Sequence, residues 1–403
     1  MYLEALDLTD YRNYAALHLA LGPGRFVVTG DNAQGKSNLC EAIRFLATMR
    51  SFRAGVDREL VRWGSVGHFA RIAADVVRVD GPLHLEIIIS AAPGPDDPLM
   101  AEPSSDGPRA GDALAPLPLP SNMTRTTGKR LKVNGAAKRA IDGVGLVTVV
   151  LFEPADLDLV IGGPSVRRHF MDVTLCQISR SYCRTLSQFQ RVLTQRAALL
   201  KRIRENQDDP RALAYWDTQL ASLAVPISTE RAGLVTRCAP TADMVAQRLG
   251  ARGLRLEYQP SAVVDPSLSP TEAVTAFLAQ LAALRKREIL QGVNLLGPHR
   301  DDLAFWEGTI NLATYGSRGQ QRGAALALKL AELEAIETET GDQPILVLDD
   351  VLSELDPTRR AALLAGITDI HQVILTTAEP DALPATFGTS ATWLRLKNGA
   401  FHA

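Results

Sequence analysis

Several features are scarce in this chain of 403 residues, and each shortage excludes a class of protein. No apolar run approaches the roughly 20 residues that a membrane-spanning helix needs. Residues 1–7 contain neither a basic stretch nor a long apolar one, so no secretory signal is expected. The net charge is only −2, so contacts with an anionic partner must come from local basic patches.

Cysteine is also scarce, and no pair of cysteines shows Cys-x-x-Cys spacing. Cys40, Cys176, Cys183 and Cys238 are therefore predicted to be buried, reduced thiols. Such thiols are typical of a cytosolic protein, in which disulfides rarely persist.

Residues 30–37 read GDNAQGKS, the full GxxxxGK[ST] pattern of a phosphate-binding loop. The apolar run at 26–29 predicts a buried strand before it, and the apolar spacing at 39–46 predicts a helix after it. A glycine-rich turn between a strand and a helix points backbone N–H groups at a phosphate chain. We predict binding of ATP or GTP by Gly30, Asp31, Asn32, Ala33, Gln34, Gly35, Lys36, Ser37 and Asn38.

Magnesium-binding and catalytic residues are predicted around this loop. Lys36 would reach the β and γ phosphates, and the hydroxyl of Ser37 would hold Mg²⁺. Far downstream, residues 345–350 form an apolar run that ends in two carboxylates. The first, Asp349, is expected to contact Mg²⁺ through water. The second, Asp350, is the predicted catalytic residue that orients or deprotonates the attacking water.

Two further short motifs complete an ordered set. Ser317, Arg318, Gly319 and Gln320 form a Ser-x-Gly-Gln turn ahead of a helical pattern, and such a turn can grip a terminal phosphate. Asp356 is predicted to cap the next helix. The order of phosphate loop, Ser-x-Gly-Gln turn, apolar-Asp-Asp strand and Ser-x-Leu-Asp segment is that of ATP-binding-cassette proteins. The turn is then the signature motif, and Asp356 lies in the D-loop.

Over its whole length the chain resembles the RecF family of DNA repair ATPases, which is related to the heads of structural-maintenance-of-chromosomes (SMC) proteins. The matching segments follow the family order, at 10–14, 30–38, 50–53, 152–157, 167–172, 296–302, 317–322 and 349–356. The resemblance implies an α/β fold. Specifically, it implies an ABC/SMC-type ATPase head, with its phosphate-loop sheet assembled from both chain ends and a helical lobe inserted between them.

The same resemblance implies a function controlled by ATP and Mg²⁺. It implies an ATP-dependent homodimer, in which the turn at Ser317 completes the partner's site, and slow hydrolysis that resets it. It implies binding to duplex or gapped DNA in recombinational repair and replication-fork maintenance. RecR and RecO are expected as partners in loading a recombinase onto single-stranded gaps. Arg12 is expected to stack on adenine, as in related heads.

A nucleotide-binding subunit of an ABC transporter is the alternative interpretation. In such subunits the phosphate loop and the Asp-Asp strand lie much closer in sequence than Lys36 and Asp349 do. Their signature usually reads LSGGQ, whereas this chain has GSRGQ. A switch histidine normally follows the next strand, but residues 376–377 are threonines. A DNA-repair ATPase is therefore favoured.

Three regions are expected along the chain. Residues 1–162 and 291–403 would form the two parts of the head, and 163–290 the helical lobe. Residues 92–120 are rich in Pro, Gly, Asp and Ala and are expected to form a disordered loop. Prolines at 210, 226, 240 and 260 are expected to exclude long uninterrupted helices from the lobe.

Clusters of basic residues are candidate DNA contacts, although such charges also form ordinary solvated faces. A hairpin turn is predicted at Asn134-Gly135, within one of these clusters. Few aromatic side chains lie among the basic ones, so contact with the duplex backbone is favoured over base stacking. The candidates are Arg50, Arg53, Lys129, Arg130, Lys132, Arg184 and Arg191.

The chain departs from the family pattern at two places. Ala33 replaces a more usual glycine in the phosphate loop, which is tolerable if its φ is negative. Residues 152–155 read FEPA where Ser-Pro-Glu is expected. Glu153 or Asp156 is therefore the candidate for coupling the nucleotide to the helical lobe.

Overall fold

The structure is a computed structural model that describes residues 1–91, 128–380, 383, 390–397 and 399–402. The loop predicted at 92–120 lies outside the described residues. The strands are β1 (Tyr2–Tyr11), β2 (Tyr14–Ala20), β3 (Gly24–Thr29), β4 (Phe69–Arg78), β5 (Gly81–Ser90), β6 (Lys129–Val133), β7 (Ala136–Lys138), β8 (Val149–Phe152), β9 (Arg255–Gln259), β10 (Asp302–Glu307), β11 (Ile310–Asn311), β12 (Ile345–Asp349), β13 (Gln372–Thr377), β14 (Ala391–Lys397) and β15 (Ala400–His402). The helices are α1 (Lys36–Thr48), α2 (Ala140–Gly143), α3 (Pro164–Ile178), α4 (Arg180–Arg204), α5 (Leu213–Arg248), α6 (Pro270–Gln291), α7 (Leu312–Tyr315), α8 (Arg318–Thr340) and α9 (Pro357–Gly366).

A mainly parallel sheet, with the strand order β15-β14-β3-β13-β12-β8, joins the two ends of the chain. The side chains of β12 alternate between its two faces. Val347 packs in one apolar cluster with Ile43 of α1, and Leu348 packs in another with Leu326 of α8 and Leu363 of α9. Because both faces are covered, β12 and β13 are buried along their whole length. The prediction that the sheet is assembled from both chain ends is confirmed.

A second, antiparallel sheet has the order β2-β1-β4-β5-β6-β7. β1 and β2 form the predicted opening pair, in which Leu8 faces Leu17. The predicted hairpin is also present: Asn134 and Gly135, with φ of 50° and 80°, connect β6 to β7. Positive φ at both central residues suits the right-handed twist of the strands.

The long helix α5 contradicts one prediction. It runs for 36 residues, although Pro226 and Pro240 lie inside it. Each proline removes one backbone hydrogen bond, but buried side chains such as Ile227 and Leu234 hold α5 against α4, α6 and α8. The expectation that these prolines exclude long helices is therefore wrong, because tertiary packing outweighs the local cost.

Ion pairs of two buried arginines join the helices to one another and to the C-terminal part of the chain. Arg167 of α3 makes two hydrogen bonds to the carboxylate of Asp302, at 2.6 and 2.9 Å. Arg231 of α5 makes a similar pair with Asp172, and it also donates to the carbonyl oxygen of Pro298 at 2.6 Å. Two of the segments that carry the family resemblance, 167–172 and 296–302, therefore hold the fold together.

The described residues add two observations on side-chain character. All four cysteines are free and buried, which confirms the prediction of buried thiols. No helix in this part of the chain is both long enough and apolar enough to cross a membrane.

Candidate nucleotide-binding site

The phosphate loop connects β3 to α1, and two glycines determine its shape. A side chain at Gly35, whose φ is 116°, would place its Cβ 2.6 Å from the amide nitrogen of Asn13. A side chain at Gly30 would collide with the carbonyl oxygen of Leu396 on β14. Glycine at these positions lets the chain turn tightly into the N-terminus of α1, where the helix dipole attracts an anion.

Ala33 differs from its prediction. Its φ is 65°, in the left-handed region, so the negative φ that would make alanine tolerable in place of glycine is not present. This conformation costs an L-residue roughly 1 kcal/mol. Residues outside the loop stabilise the turn into α1, and this stabilisation offsets the cost.

The turn between β1 and β2 provides that support. The side-chain amide of Asn13 donates to the carbonyl oxygen of Gln34 at 2.9 Å, and the hydroxyl of Tyr14 donates to that of Gly35 at 2.8 Å. Asn38 in turn donates to the amide oxygen of Asn13 at 2.8 Å. Sequence reasoning gave Asn13 and Tyr14 no role; the only signal was their place in the family segment at 10–14.

Arg12 also lies beside the loop, in an ion pair. Its guanidinium makes two hydrogen bonds to the buried carboxylate of Glu41 on α1, at 2.7 and 2.8 Å. A third bond, of 3.1 Å, goes to the carbonyl oxygen of Glu59. Arg12 therefore ties the β1–β2 turn to α1, and its stacking on adenine remains a prediction.

Lys36 is buried in the first turn of α1. Its ammonium donates to the carbonyl oxygens of Gly30 and Asp31, at 2.5 and 3.1 Å. The cationic group therefore lies within the loop itself, where it adds to the positive potential of the helix N-terminus.

Three oxygen-bearing side chains meet next to Lys36. The hydroxyl of Ser37 donates to Oδ1 of Asp349 at 3.1 Å, and the hydroxyl of Thr376 donates to the same atom at 2.8 Å. Asp349 is buried at the end of β12. Hydroxyl and carboxylate oxygens are the ligands that Mg²⁺ prefers, so Ser37 and Asp349 fit the metal assigned to them. Thr376 is a member of this group that sequence reasoning did not assign.

Asp350 directly follows Asp349 and is only partly buried. Its φ is 52°, and its backbone N–H donates to the hydroxyl of Thr376 at 3.1 Å. Partial burial raises the pKa of Asp350, while the nearby ammonium of Lys36 lowers it. A carboxylate held next to the metal-binding group can orient or deprotonate a water molecule there.

Glu153, directly after β8, lies close enough to Asp349 to interact with it electrostatically. Burial raises the pKa of Glu153 to about 7, and the carboxylates of Asp156 and Asp349 contribute to the rise. Glu153 and Asp156 each accept a hydrogen bond from the backbone of the other, in a capping box.

Charged and polar side chains connect Asp156 to helices α8 and α3. The ammonium of Lys329 on α8 lies 4.0 Å from Asp156 and 2.6 Å from Glu332. Glu332 accepts a hydrogen bond of 2.9 Å from the hydroxyl of Thr174 on α3. Polar contacts therefore connect the end of β8 to α3. That they carry a signal from the nucleotide remains a prediction.

The signature turn is built as a helix N-terminus. The hydroxyl of Ser317 accepts the backbone N–H of Gln320 at 3.2 Å, and the side chain of Gln320 accepts the N–H of Ser317 at 2.8 Å. Gln320 also donates to Glu307 at 2.9 Å. Ser317 and Arg318 are exposed at the start of α8, with Gly319 just behind them.

The signature turn is joined to the D-loop of the same chain. Arg322 donates to the carbonyl oxygen of Glu354 at 2.8 Å. Asp356 caps α9, as predicted, by accepting the N–H of Arg359 at 3.0 Å. The guanidinium of Arg359 packs against Gly319, where an added Cβ would lie only 3.0 Å from it.

The candidate DNA contacts differ in their surroundings. Lys129 is enclosed: it pairs with Asp57 at 2.6 Å and lies over the ring of Phe45, so the structure does not place it on an exposed basic patch. Lys132 pairs with Glu86 at 2.8 Å, and Arg184 with Asp142 at 3.0 Å, but both remain exposed. The other four are Arg50, which is half-buried, and Arg53, Arg130 and Arg191, which are exposed.

The loop, the paired aspartates and the exposed signature turn define an ATPase head with the motif order of ATP-binding cassettes. Known proteins place the chain more narrowly. It is 40% identical over 415 residues to the DNA replication and repair protein RecF of Chloroflexus aurantiacus, over the full length of both. It is 40% identical over 416 residues to RecF of Roseiflexus castenholzii, covering 99% of each. The chain belongs to the RecF family.

The fold agrees with this assignment. The structure of the recombination mediator protein RecF with ATP, from the RecFOR pathway, matches with a TM-score of 0.82 and 27% identity, over the whole chain and 97% of that structure. No family model matches the chain. The predicted α/β ATPase head is confirmed, and these relatives do not favour the transporter alternative.

Proposed function

We propose that this chain is an ATP-dependent DNA-binding protein of DNA replication and recombinational repair. The observation that carries the proposal is the meeting of Lys36 and Ser37 with Asp349 and Asp350 at one edge of the central sheet. Membership of the RecF family supports it, as does the similarity to a RecF structure that contains ATP.

The proposal gives each residue of the site a role. The N–H groups of the loop and the ammonium of Lys36 hold the phosphates. Ser37 and Asp349 hold Mg²⁺, which neutralises phosphate charge when bound. Asp350 positions or deprotonates the attacking water, and hydrolysis is slow.

Dimerisation is the proposed response to ATP. Ser317 is exposed at the start of α8, and the turn makes its hydrogen bonds to itself and to Glu307. Such an exposed helix N-terminus suits the γ-phosphate held by Lys36 of a second copy. ADP lacks that phosphate and would not favour the dimer, because a ligand shifts an equilibrium only through differential affinity.

The remaining parts of the proposal follow from the family. A dimer formed on duplex or gapped DNA would help load a recombinase onto single-stranded gaps, with RecR and RecO as partners, and hydrolysis would reset it. Residues 1–162 and 291–403 would form the head, and residues 163–290 the lobe that responds to the nucleotide.

Sizing by light scattering with ATP, with ADP and without nucleotide tests the proposed ATP switch, in which ATP converts the monomer to a dimer. We expect a dimer with ATP and a monomer otherwise, and Lys36→Ala should be monomeric throughout. A wild-type protein that stays monomeric under all three conditions contradicts the proposal.

Binding to labelled duplex DNA tests the proposed ATP-dependent DNA binding. ATP should strengthen binding without sequence preference, and added salt should weaken it steeply, because phosphate contacts release counterions. Tight binding to single strands alone, independent of ATP, contradicts this model.

A further inference from the structure

The two large apolar side chains that are most exposed in the described part of the chain lie three residues apart. Trp63 is 97% exposed and Val66 is 94% exposed, in the segment that connects α1 to β4. Exposing a tryptophan to water is unfavourable, and exposed aromatic side chains often mark an interaction site. This exposure alone does not identify a partner.

The turn that carries Trp63 is held firmly at its base. The N–H of Ser65 donates to the carbonyl oxygen of Arg62 at 3.1 Å, and Gly64 between them has a φ of 77°, as in a type II turn. Asp10 fastens both ends of this turn. Its carboxylate accepts from Nε of Arg62 at 2.6 Å and from the hydroxyl of Ser65 at 2.9 Å.

The backbone strengthens the same attachment. The N–H of Arg62 donates to the carbonyl oxygen of Asp10 at 2.7 Å, and Val61 forms a β-bridge with Tyr11. The hydrogen bonds from Arg62 and Ser65 also lower the pKa of Asp10, so its carboxylate remains ionised at neutral pH. Trp63 therefore lies on a turn that is already ordered, so the turn would lose little conformational entropy on binding a partner.

The charge of the segment indicates an anionic partner. Asp57 is one of its two carboxylates and is already paired with Lys129 at 2.6 Å. Glu59 is the other, and it accepts the N–H of Gly55 at 3.0 Å. Four arginines lie in the same segment, at 50, 53, 58 and 62, and Arg62 is the one paired with Asp10. The formal charge between residues 50 and 68 is +2, and Arg53 and Arg58 are exposed.

The segment also lies beside the phosphate loop. The guanidinium of Arg53 is 3.4 Å from the side-chain oxygen of Asn38, which belongs to the first turn of α1. The carbonyl oxygen of Glu59 accepts a hydrogen bond from Arg12, and Ser51 donates to Glu41 of α1. The segment that carries Trp63 is thus attached to α1 beside the phosphate loop.

We propose that the turn at Trp63 is a DNA contact, in which the indole stacks on an unpaired or terminal base while neighbouring arginines approach the phosphates. The inference rests on the proposed DNA-binding function and adds the element that receives a base. The sequence favours backbone contact over base stacking for the basic clusters, but Trp63 is an exposed aromatic ring in a segment with four arginines. Such a ring beside basic side chains is the usual arrangement for binding unstacked bases, whose faces a continuous duplex does not offer. A second copy of the chain fits less well, because its equivalent segment carries the same positive charge.

Fluorescence anisotropy on a blunt duplex, and on the same duplex with a single-stranded overhang, tests the proposal. With ATP, we expect Trp63→Ala to lose roughly 5- to 150-fold in affinity for the overhang DNA, the range for removal of one stacking aromatic side chain. The loss on blunt duplex should be smaller, and Trp63→Phe should restore most of the affinity. Tyr215→Ala, which removes an aromatic side chain that is 63% exposed on α5, is the matched control and should bind like wild type.

Photocrosslinking supplies a readout that does not depend on affinity. Overhang DNA containing 5-iodouracil should crosslink to the peptide that contains Trp63. Wild-type affinity of Trp63→Ala for the overhang DNA overturns the inference. So does a Trp63→Ala variant that binds DNA normally but no longer dimerises with ATP, since the turn would then be an interface between copies.

The outcomes separate this inference from the proposed function. If wild-type protein binds overhang DNA equally well with and without ATP, and crosslinks through Trp63, the DNA contact stands and the ATP switch fails. If Trp63 variants behave like wild type while ATP still strengthens DNA binding, the switch stands and the contact fails. A wild-type protein that binds no DNA under any nucleotide condition overturns both.

Discussion

The hydroxyl of Ser37 donates to the carboxylate of Asp349 across 3.1 Å, although 312 positions separate the two residues in sequence. Thr376 donates to the same carboxylate oxygen from the neighbouring strand β13. Folding thus brings a hydroxyl from one end of the chain to a carboxylate from the other. The parallel order β3-β13-β12 is what aligns them.

Replacing Asp349 by asparagine should weaken Mg²⁺ binding without unfolding the protein. The amide oxygen of asparagine can still accept from Ser37 and Thr376, but it carries no charge for a divalent cation. We expect the Mg²⁺ concentration needed for ATP binding to rise by about tenfold or more, as for loss of a side chain that contacts a metal through water. A titration with a fluorescent ATP analogue measures this, and an unchanged Mg²⁺ requirement would contradict the assignment.

Asp350→Asn should separate binding from turnover. Asn tolerates the left-handed φ of 52° at this position, so the fold should be retained. ATP binding and dimerisation should persist, while hydrolysis should fall by at least about 100-fold if the carboxylate acts on water. Single-turnover hydrolysis with ATP-bound protein measures the effect. Hydrolysis at the wild-type rate would show that Asp350 is not the catalytic residue.

Local sequence patterns were sufficient to predict those elements whose structure and chemistry are both specified by a single segment. The GxxxxGK[ST] pattern between an apolar run and a helical one predicted β3, the loop and α1, and Asp356 before Pro357 predicted the start of α9. Such elements need no information from distant residues.

Residues that depend on distant partners could not be predicted in this way. Arg196 lies on the mainly apolar buried side of α4, and only the structure shows that it is fully buried and paired with Asp217 and Glu288. Lys129 was grouped with exposed basic residues because its partner Asp57 is far away in sequence. The left-handed φ of Ala33 likewise depends on support from another part of the chain.

Ser317→Arg should prevent dimerisation, but it also removes a helix cap. Because Ser317 caps α8 through Gln320, the substitution should lower the free energy of unfolding by about 1 kcal/mol. Ser317→Thr keeps a capping hydroxyl and separates the two effects. We expect Ser317→Arg to bind ATP as a monomer in light scattering, and Ser317→Thr to dimerise. ATP-dependent dimers of Ser317→Arg would rule out the proposed role of the turn.

The raised pKa of Glu153 predicts an unusual dependence of stability on pH. Its pKa is about 7 in the folded protein, because of burial and the nearby carboxylates, against an ordinary value of 4.5. The folded state therefore holds this proton more tightly than the unfolded chain does. The resulting stabilisation is fully present below pH 4.5 and is lost as the pH rises through 7.

Glu153→Gln should remove this dependence, because glutamine stays neutral and its oxygen can still accept the N–H of Asp156. Relative to wild type, the variant should be more stable at pH 8, by up to about 3 kcal/mol, and should differ little at pH 5. Glu230→Gln, at an exposed carboxylate on α5, is the control and should shift stability little at either pH. Urea unfolding at both pH values measures the difference. An equal effect of Glu153→Gln at pH 5 and pH 8 would show that burial and the nearby carboxylates do not raise the pKa of Glu153 to about 7.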